Sequence, residues 1–299
     1  MQPHTRARGS FWGVSLVKNE GDIIVPVVEH LFRQGAGGIL VADNDSTDDT
    51  RSLLVSLARR YPLYVAQDHE PGHYQGIKMD RLCDWVRRAG ADWIIPFDAD
   101  EFWFGPQGTL SQYFRRCRAN IAKAQIHSLY PIPGVQFRQG PWRLEVPPHP
   151  VLTKVAFRSC RYSLLAEGNH MVRRMSPSRS GLRINRPGQL ASGLRILHVP
   201  WRSYEQFRRK GLQGMEALSR TGFDAEIGYH WRALGALNGE AARATWNAIL
   251  SGERVDDVGW SPGAPFRLVD PSEWRVWDPD GILASILHET PEAGAESPC

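Results

Sequence analysis

The sequence predicts an α/β fold: a mostly parallel, doubly wound sheet of the nucleotide-binding type with an α+β elaboration behind it. Three observations carry this expectation. Short uninterrupted apolar runs alternate with amphipathic helical patterns over the first hundred residues, as in sheets covered on both faces. From about Gly105 that rhythm gives way to proline, tryptophan and short β-rich runs. The chain of 299 residues exceeds the usual single-domain size, so it can hold a core and an addition to it.

The elements follow in order. Residues 11–17 (FWGVSLV) form a first strand, and Asp22 can cap a helix reaching His30 and Leu31, with Pro26 tolerated near its first turn. Residues 37–42 (GGILVA) are a second strand, after which Ser46 or Thr47 is expected to cap a helix whose Leu53, Leu54 and Leu57 share one face. Leu63 to Ala66 is a third strand, and a helix carrying Ile77, Leu82, Trp85 and Val86 leads to Gly90. Residues 93–97 (WIIPF) are the fourth strand. Beyond it come a helix near 110–118, a proline-rich stretch over 131–150, short strands around Val155 and over 195–199, and helices over 203–218 and 240–250. The organisation expected is a nucleotide-binding, Rossmann-like part over 1–105, an α+β part of the same domain over 106–290, and a flexible tail over 291–299.

Composition narrows the class. Hydrophobic residues at 42% and charged residues at 23% supply a core and exclude global disorder. Lys and Arg number 36 against 32 Asp and Glu, a balance that permits a phosphate-bearing partner without demanding one. Pairs such as Arg115-Arg116, Arg173-Arg174 and Arg208-Arg209 are scattered rather than gathered in one tract, so no nucleic-acid partner is expected. The four cysteines, Cys83, Cys117, Cys160 and Cys299, have neither zinc-ligand nor disulfide-framework spacing. With no apolar leader and no membrane span, the expectation is a soluble, cytoplasmic protein of unspecified oligomeric state. Eleven tryptophans could serve a core or a sugar-stacking surface, Trp142, Trp201, Trp231 and Trp260 among them.

Ligands of an open parallel sheet bind beyond the carboxyl ends of its strands. Those positions hold Lys18, Asn19 and Glu20, then Asp43 and Asp45, then Asp98, Asp100 and Glu101. Acids converging on one edge repel unless cations or hydrogen-bond donors compensate them. In an extended chain Asp98 and Asp100 would point to one side, about 6.6 Å apart, straddling a metal and its ligand. Hard oxygen donors favour Mn²⁺ or Mg²⁺, which leave positions open for substrate phosphates.

Three segments, KNEGD, VADNDSTDDT and ADWIIPFDADEFW, together resemble the family 2 glycosyltransferases of GT-A fold, particularly their short, non-processive bacterial members. The resemblance spans roughly 10–105 and resumes at LHVPWRSYEQFRRK. It implies metal-dependent, inverting transfer of one sugar from a nucleotide-diphosphate sugar, UDP-sugar favoured, to an acceptor that could be a small molecule, a glycan or a peptide. On that resemblance Asp43 or Asp45 recognises the base, Asp98 contacts ribose or metal, Asp100 ligates the metal, and Glu101 lines the site. His198 occupies the place of a third metal ligand, and Arg202 and Lys210 could neutralise phosphate.

The family's Glu-Asp pair for the general base is absent here; Glu167 or His170, in the segment EGNH, takes that candidacy. Its Arg-Asn in the third helix is also absent, leaving Lys78 or Arg81 as phosphate contacts. Gln206 is followed by FRRK rather than the Q-x-x-R-W of processive synthases, so chain polymerisation is not expected. The missing pair also keeps open a binding module of this fold that lacks turnover.

Overall fold

The computed structural model describes residues 9–133, 142–145, 152–185, 190–259, 262 and 266–269. Trp260, most of the proline-rich stretch and the C-terminal tail lie outside the described residues.

The N-terminal half is built as its apolar runs require. Strand β1 (Phe11–Val17) lies between β2 (Ala36–Asp43) and β4 (Trp93–Pro96), parallel to both, and β3 (Leu63–Gln67) extends the parallel set beyond β2. Helices α1 (Ile24–Arg33), α2 (Thr50–Ala58) and α3 (Gln75–Arg88) are the crossovers. They divide the core. Ile24, Val27, Leu31, Leu54 and Leu57 pack with Phe11, Ile39 and Trp93 in one cluster, whereas Met79, Cys83 and Val86 of α3 meet Val14, Leu40 and Ile94 in another. Coverage on both faces explains why these strands read as continuous apolar runs.

The second half adds strands to the same sheet. After β5 (Glu101–Phe104) and α4 (Leu110–Arg116) come β6 (Ile121–Tyr130), β7 (Trp142–Glu145) and β8 (Thr153–Arg158). β8 runs antiparallel between β4 and β6. β12 (Leu190–His198) pairs antiparallel with β5 and parallel with β6, while β13 (Phe266–Val269) closes the edge beside β7. The expected parallel sheet is therefore present in the N-terminal strands, and the elaboration joins it mostly antiparallel. β9 (Tyr162–Leu165), β10 (Val172–Ser178) and β11 (Gly181–Ile184) form a separate antiparallel sheet against α3, which periodicity did not anticipate.

Helices α5 (Tyr204–Ser219), α6 (Tyr229–Ala236) and α7 (Gly239–Ser251) enclose an aromatic cluster of Tyr130, Trp201, Phe207 and Trp246. Trp93, Trp103, Trp142 and Trp201 are fully buried. With Trp246 also buried, five of the eight described tryptophans are core material, which removes Trp142 and Trp201 as stacking surfaces. No helix among the described residues is long and apolar enough to cross a membrane.

The cap expected at Ser46 or Thr47 is corrected. α2 starts at Thr50, and the preceding loop is instead tied to Asn19: its Oδ1 accepts from Thr47 N–H at 2.7 Å and Asp48 N–H at 3.3 Å, while its own N–H donates to Ser46 Oγ at 2.9 Å.

Candidate active site

Because β1, β2 and β4 are parallel, their carboxyl ends open on one edge, and the acids that follow them share it. The D-A-D-E segment is not extended there. Glu101 N–H donates to the Asp98 carbonyl at 3.1 Å, closing a turn that gives the two aspartates different partners. Asp98 accepts from the Lys154 ammonium and from Asn169 Nδ2 at 3.3 Å. Asp100 accepts from Lys210 Nζ at 2.5 Å, and its other oxygen lies 3.6 Å from His198 Nε2. Glu101 turns back to accept from the Asp98 N–H at 3.1 Å, with Lys154 2.5 Å from its second oxygen.

Strand register delivers these groups. Pairing of β12 with β5 sets His198 opposite Glu101, and the Val199 N–H donates to the Asp100 carbonyl at 2.9 Å. Burial pushes the Glu101 carboxyl up to about 7 against the pull of Lys154, and lowers His198 to about 4 against the pull of Asp100, so His198 is neutral at pH 7. Burial would also raise Asp100, but Lys210, His198 and Arg202 outweigh it and hold the carboxyl well below its usual range. Lys154 and Lys210 are both raised: burial disfavours their charge, and the carboxylates around them more than restore it.

From this edge a cleft extends across the sheet. Its smaller hollow, about 160 Å³, is bounded by Lys18, Glu20, Asp100, His198 and Lys210; the larger, about 470 Å³, by His73, Lys154, Glu167, His170 and His230. Gln75, Asp98 and Trp231 border both, so the two are continuous. Of Trp142, Trp201 and Trp231, the described tryptophans among the stacking candidates, Trp231 is the one that faces this cleft.

Glu167 Oε1 accepts from the Gly76 N–H at 3.0 Å, and Oε2 is 3.5 Å from His73 Nε2. Burial would raise this carboxyl, but the His73 contact and the Gly76 N–H bring it below its ordinary value. His170 Nδ1 lies 2.8 Å from the Thr153 carbonyl, which can only accept; Nδ1 therefore carries the proton and Nε2 keeps a lone pair. Gly168 between them has φ of 72°, and a Cβ there would stand 2.7 Å from the His170 ring.

The remaining expected residues are placed as follows. Asp43 is buried, accepts from the Ser46 N–H at 3.2 Å and has Arg51 at 3.7 Å; Asp45 is exposed and held by Gln67 and His69 at 3.1 and 2.9 Å. Lys78 pairs with Asp68 at 2.6 Å and donates to the Glu70 carbonyl, just beyond the carboxyl end of β3. Arg202 is buried against Glu20 at 2.5 Å and Asp22 at 2.6 Å, clasping the end of β1 rather than presenting its guanidinium to a phosphate. Asn19 serves the loop described above.

Lys154 and Asn169 are the neighbours of Asp98 that sequence reasoning missed. A lysine inside the apolar run TKVAFR was the available signal, since a fully buried lysine needs carboxylate partners. Asn169, also buried, adopts φ of 60°, a conformation that asparagine tolerates.

Among the described residues, no three His, Cys, Asp or Glu side chains gather closely enough to hold a metal alone. The available donors are the Asp100 carboxylate and the neutral His198 imidazole, oxygen and nitrogen types that suit Mn²⁺. Around them Glu20, Asp22, Asp98 and Glu101 are compensated by Lys154, Arg202 and Lys210. A divalent cation completed by substrate oxygens fits the donor types of Asp100 and His198.

No protein-family description and no curated protein matches the chain. Solved structures similar to it include S. aureus TarS 1–349 in complex with UDP-GlcNAc, at 11% identity over 83% of this chain and 74% of that one, TM-score 0.40. GalNAc-T7 with UDP, GalNAc and Mn²⁺ is similar at 10% identity over 75% and 54%, TM-score 0.39. Glucosyl-3-phosphoglycerate synthase from Mycobacterium tuberculosis, in complex with Mn²⁺, UDP and glucosyl-3-phosphoglycerate, matches at 15% identity over 39% and 44%, TM-score 0.28.

Proposed function

We propose that this chain transfers one sugar from a nucleotide-diphosphate sugar, a UDP-sugar for preference, to an acceptor nucleophile, with inversion at the anomeric carbon. The single observation that carries this reading is the convergence of Asp98, Asp100, His198 and Lys210 on a cleft at the carboxyl ends of parallel strands. The similar structures bind UDP or UDP-GlcNAc, in keeping with it. In this reading residues 1–105 receive the nucleotide and 106–290 shape the acceptor side. The three described cysteines are unpaired, which suits a reducing, cytoplasmic setting.

Asp100 and His198 would hold Mn²⁺ or Mg²⁺, which when bound neutralises charge on the departing diphosphate. Lys210, already on Asp100, adds a fixed positive charge beside the same hollow. Asp98, held by Lys154 and Asn169, is oriented between the two hollows to meet the ribose or the sugar. Asp43 contacts the base. Glu167 accepts the proton of the attacking hydroxyl at Oε2, and His170 Nε2 is the other base within the cleft.

Titration with UDP in the presence of Mn²⁺ tests this reading. Saturable binding is expected, weakened at least tenfold in Asp100→Ala; unchanged affinity in that variant sinks the metal-diphosphate arrangement. A nucleotide-sugar-binding module without turnover is a second reading, favoured by the lysines that already neutralise Asp98 and Asp100. Donor hydrolysis or transfer that disappears in Asp98→Ala excludes it.

A further inference from the structure

The cleft does not end at Glu167. A hollow of about 420 Å³ adjoins it there, walled by Ile77, Leu164, Met171 and Phe223. A second of about 550 Å³, beside Trp85 and Leu182, shares Asp80 and Leu164 with the first. Their common wall is α3, which between Gly76 and Arg88 advances about 18 Å at its rise per residue.

This groove is apolar and open. Ile77 is 58% exposed, Leu182 51%, Met171 48%, Leu164 47% and Trp85 42%. They result from the local fold: Met79, Cys83 and Val86 turn the inner face of α3 to the core, leaving Ile77 and Trp85 outside, while β9 buries Leu165 and turns Leu164 out. Apolar walls facing water are stabilised when an apolar occupant covers them. The groove carries both signs of charge: Asp80 borders both hollows and accepts from the Leu165 N–H at 2.8 Å, and Glu167 closes the end nearest the cleft. Arg88 is committed to Asp84 at 2.5 Å and Arg161 lies over the Tyr162 ring, but Arg81 and Arg173 have no carboxylate partner among the described residues. Arg173 borders the hollow that touches Glu167.

We propose that this groove binds the acceptor, and that the acceptor is an anionic amphiphile. Its aliphatic or aromatic body lies along α3 between Ile77 and Leu182, its phosphate or carboxylate meets Arg173, and its reactive hydroxyl reaches Glu167. The inference rests on the sugar-transfer reading and adds the substrate class. The border shared with the reaction cleft at Glu167 and the two guanidinium groups without a carboxylate partner favour this occupant over a neutral sugar chain, which would leave the apolar walls poorly matched.

Calorimetric titration of the full chain with monomeric decyl phosphate, in parallel with UDP, tests it. Saturable binding is expected, weakened at least tenfold by Leu164→Asp and severalfold by Arg173→Ala, with UDP affinity unchanged in both variants. Both side chains are exposed, so neither change threatens folding. Absence of decyl phosphate binding while UDP still binds, or equal binding by Leu164→Asp, overturns the groove and leaves the donor reading standing. Association with phosphatidylglycerol vesicles without monomer binding overturns it in favour of a lipid surface. Loss of UDP binding in the unaltered chain overturns the transfer reading and the acceptor role with it.

Discussion

His30 shows how a single buried group ties stability to acidity. It has no solvent exposure, lies against Phe104 and Phe102 at 4.6 and 5.5 Å between ring centres, and donates from Nε2 to the Trp103 carbonyl at 2.8 Å. Burial lowers its pKa from 6.5 to about 4. The folded state therefore binds this proton more weakly than the unfolded chain does, and the contribution is whole above pH 6.5 and lost between 6.5 and 4. His30→Gln is expected to flatten that acid limb by up to about 3 kcal/mol, read from urea midpoints across the range; an unaltered limb overturns the account. Residue by residue, the candidate site was partly legible. Asp98, Asp100 and His198 lie at the ends of apolar runs, Lys210 lies in the second turn of α5, and the structure brings them together. Lys154 sits within a strand run, where a charge reads as an interruption until its carboxylate partners are seen.

Among elements, legibility followed periodicity. The N-terminal strands and their helices repeat apolar residues with enough regularity to be read within a few positions. The turn at Asp98 and the start of α2 were misread for a common reason: both depend on hydrogen bonds that a local pattern does not contain. Asn19, 28 residues from Thr47, holds the loop that would otherwise have wound into the first turn of α2. Asn19→Ala leaves the Thr47 and Asp48 amides without their acceptor and is expected to destabilise the chain by about 1–3 kcal/mol, whereas Asn19→Asp keeps the acceptor and most of the stability. Equal urea midpoints for the two variants would contradict the staple. β9, β10 and β11 escaped notice because β11 has no buried residue and β10 only one, so neither strand shows alternation.

At the scale of the molecule, the sheet is assembled from both halves of the chain. β8 covers the edge of β4, and β12 covers β5. A fragment of residues 1–105 would expose the fully buried runs WIIP and EFWF as open edges. It is expected to show no cooperative thermal transition by circular dichroism, and a sharp two-state melt would refute the dependence. The Arg202 clasp on Asp22 has a further consequence, because its partners are 180 residues apart. At synthesis rates of roughly 5–20 residues per second, the first strand waits about 10 to 40 s for the arginine that secures its end. During that interval the nascent chain presents unpaired apolar strands and an uncompensated acidic edge, so its yield in the cell depends on whatever shelters it until the clasp arrives.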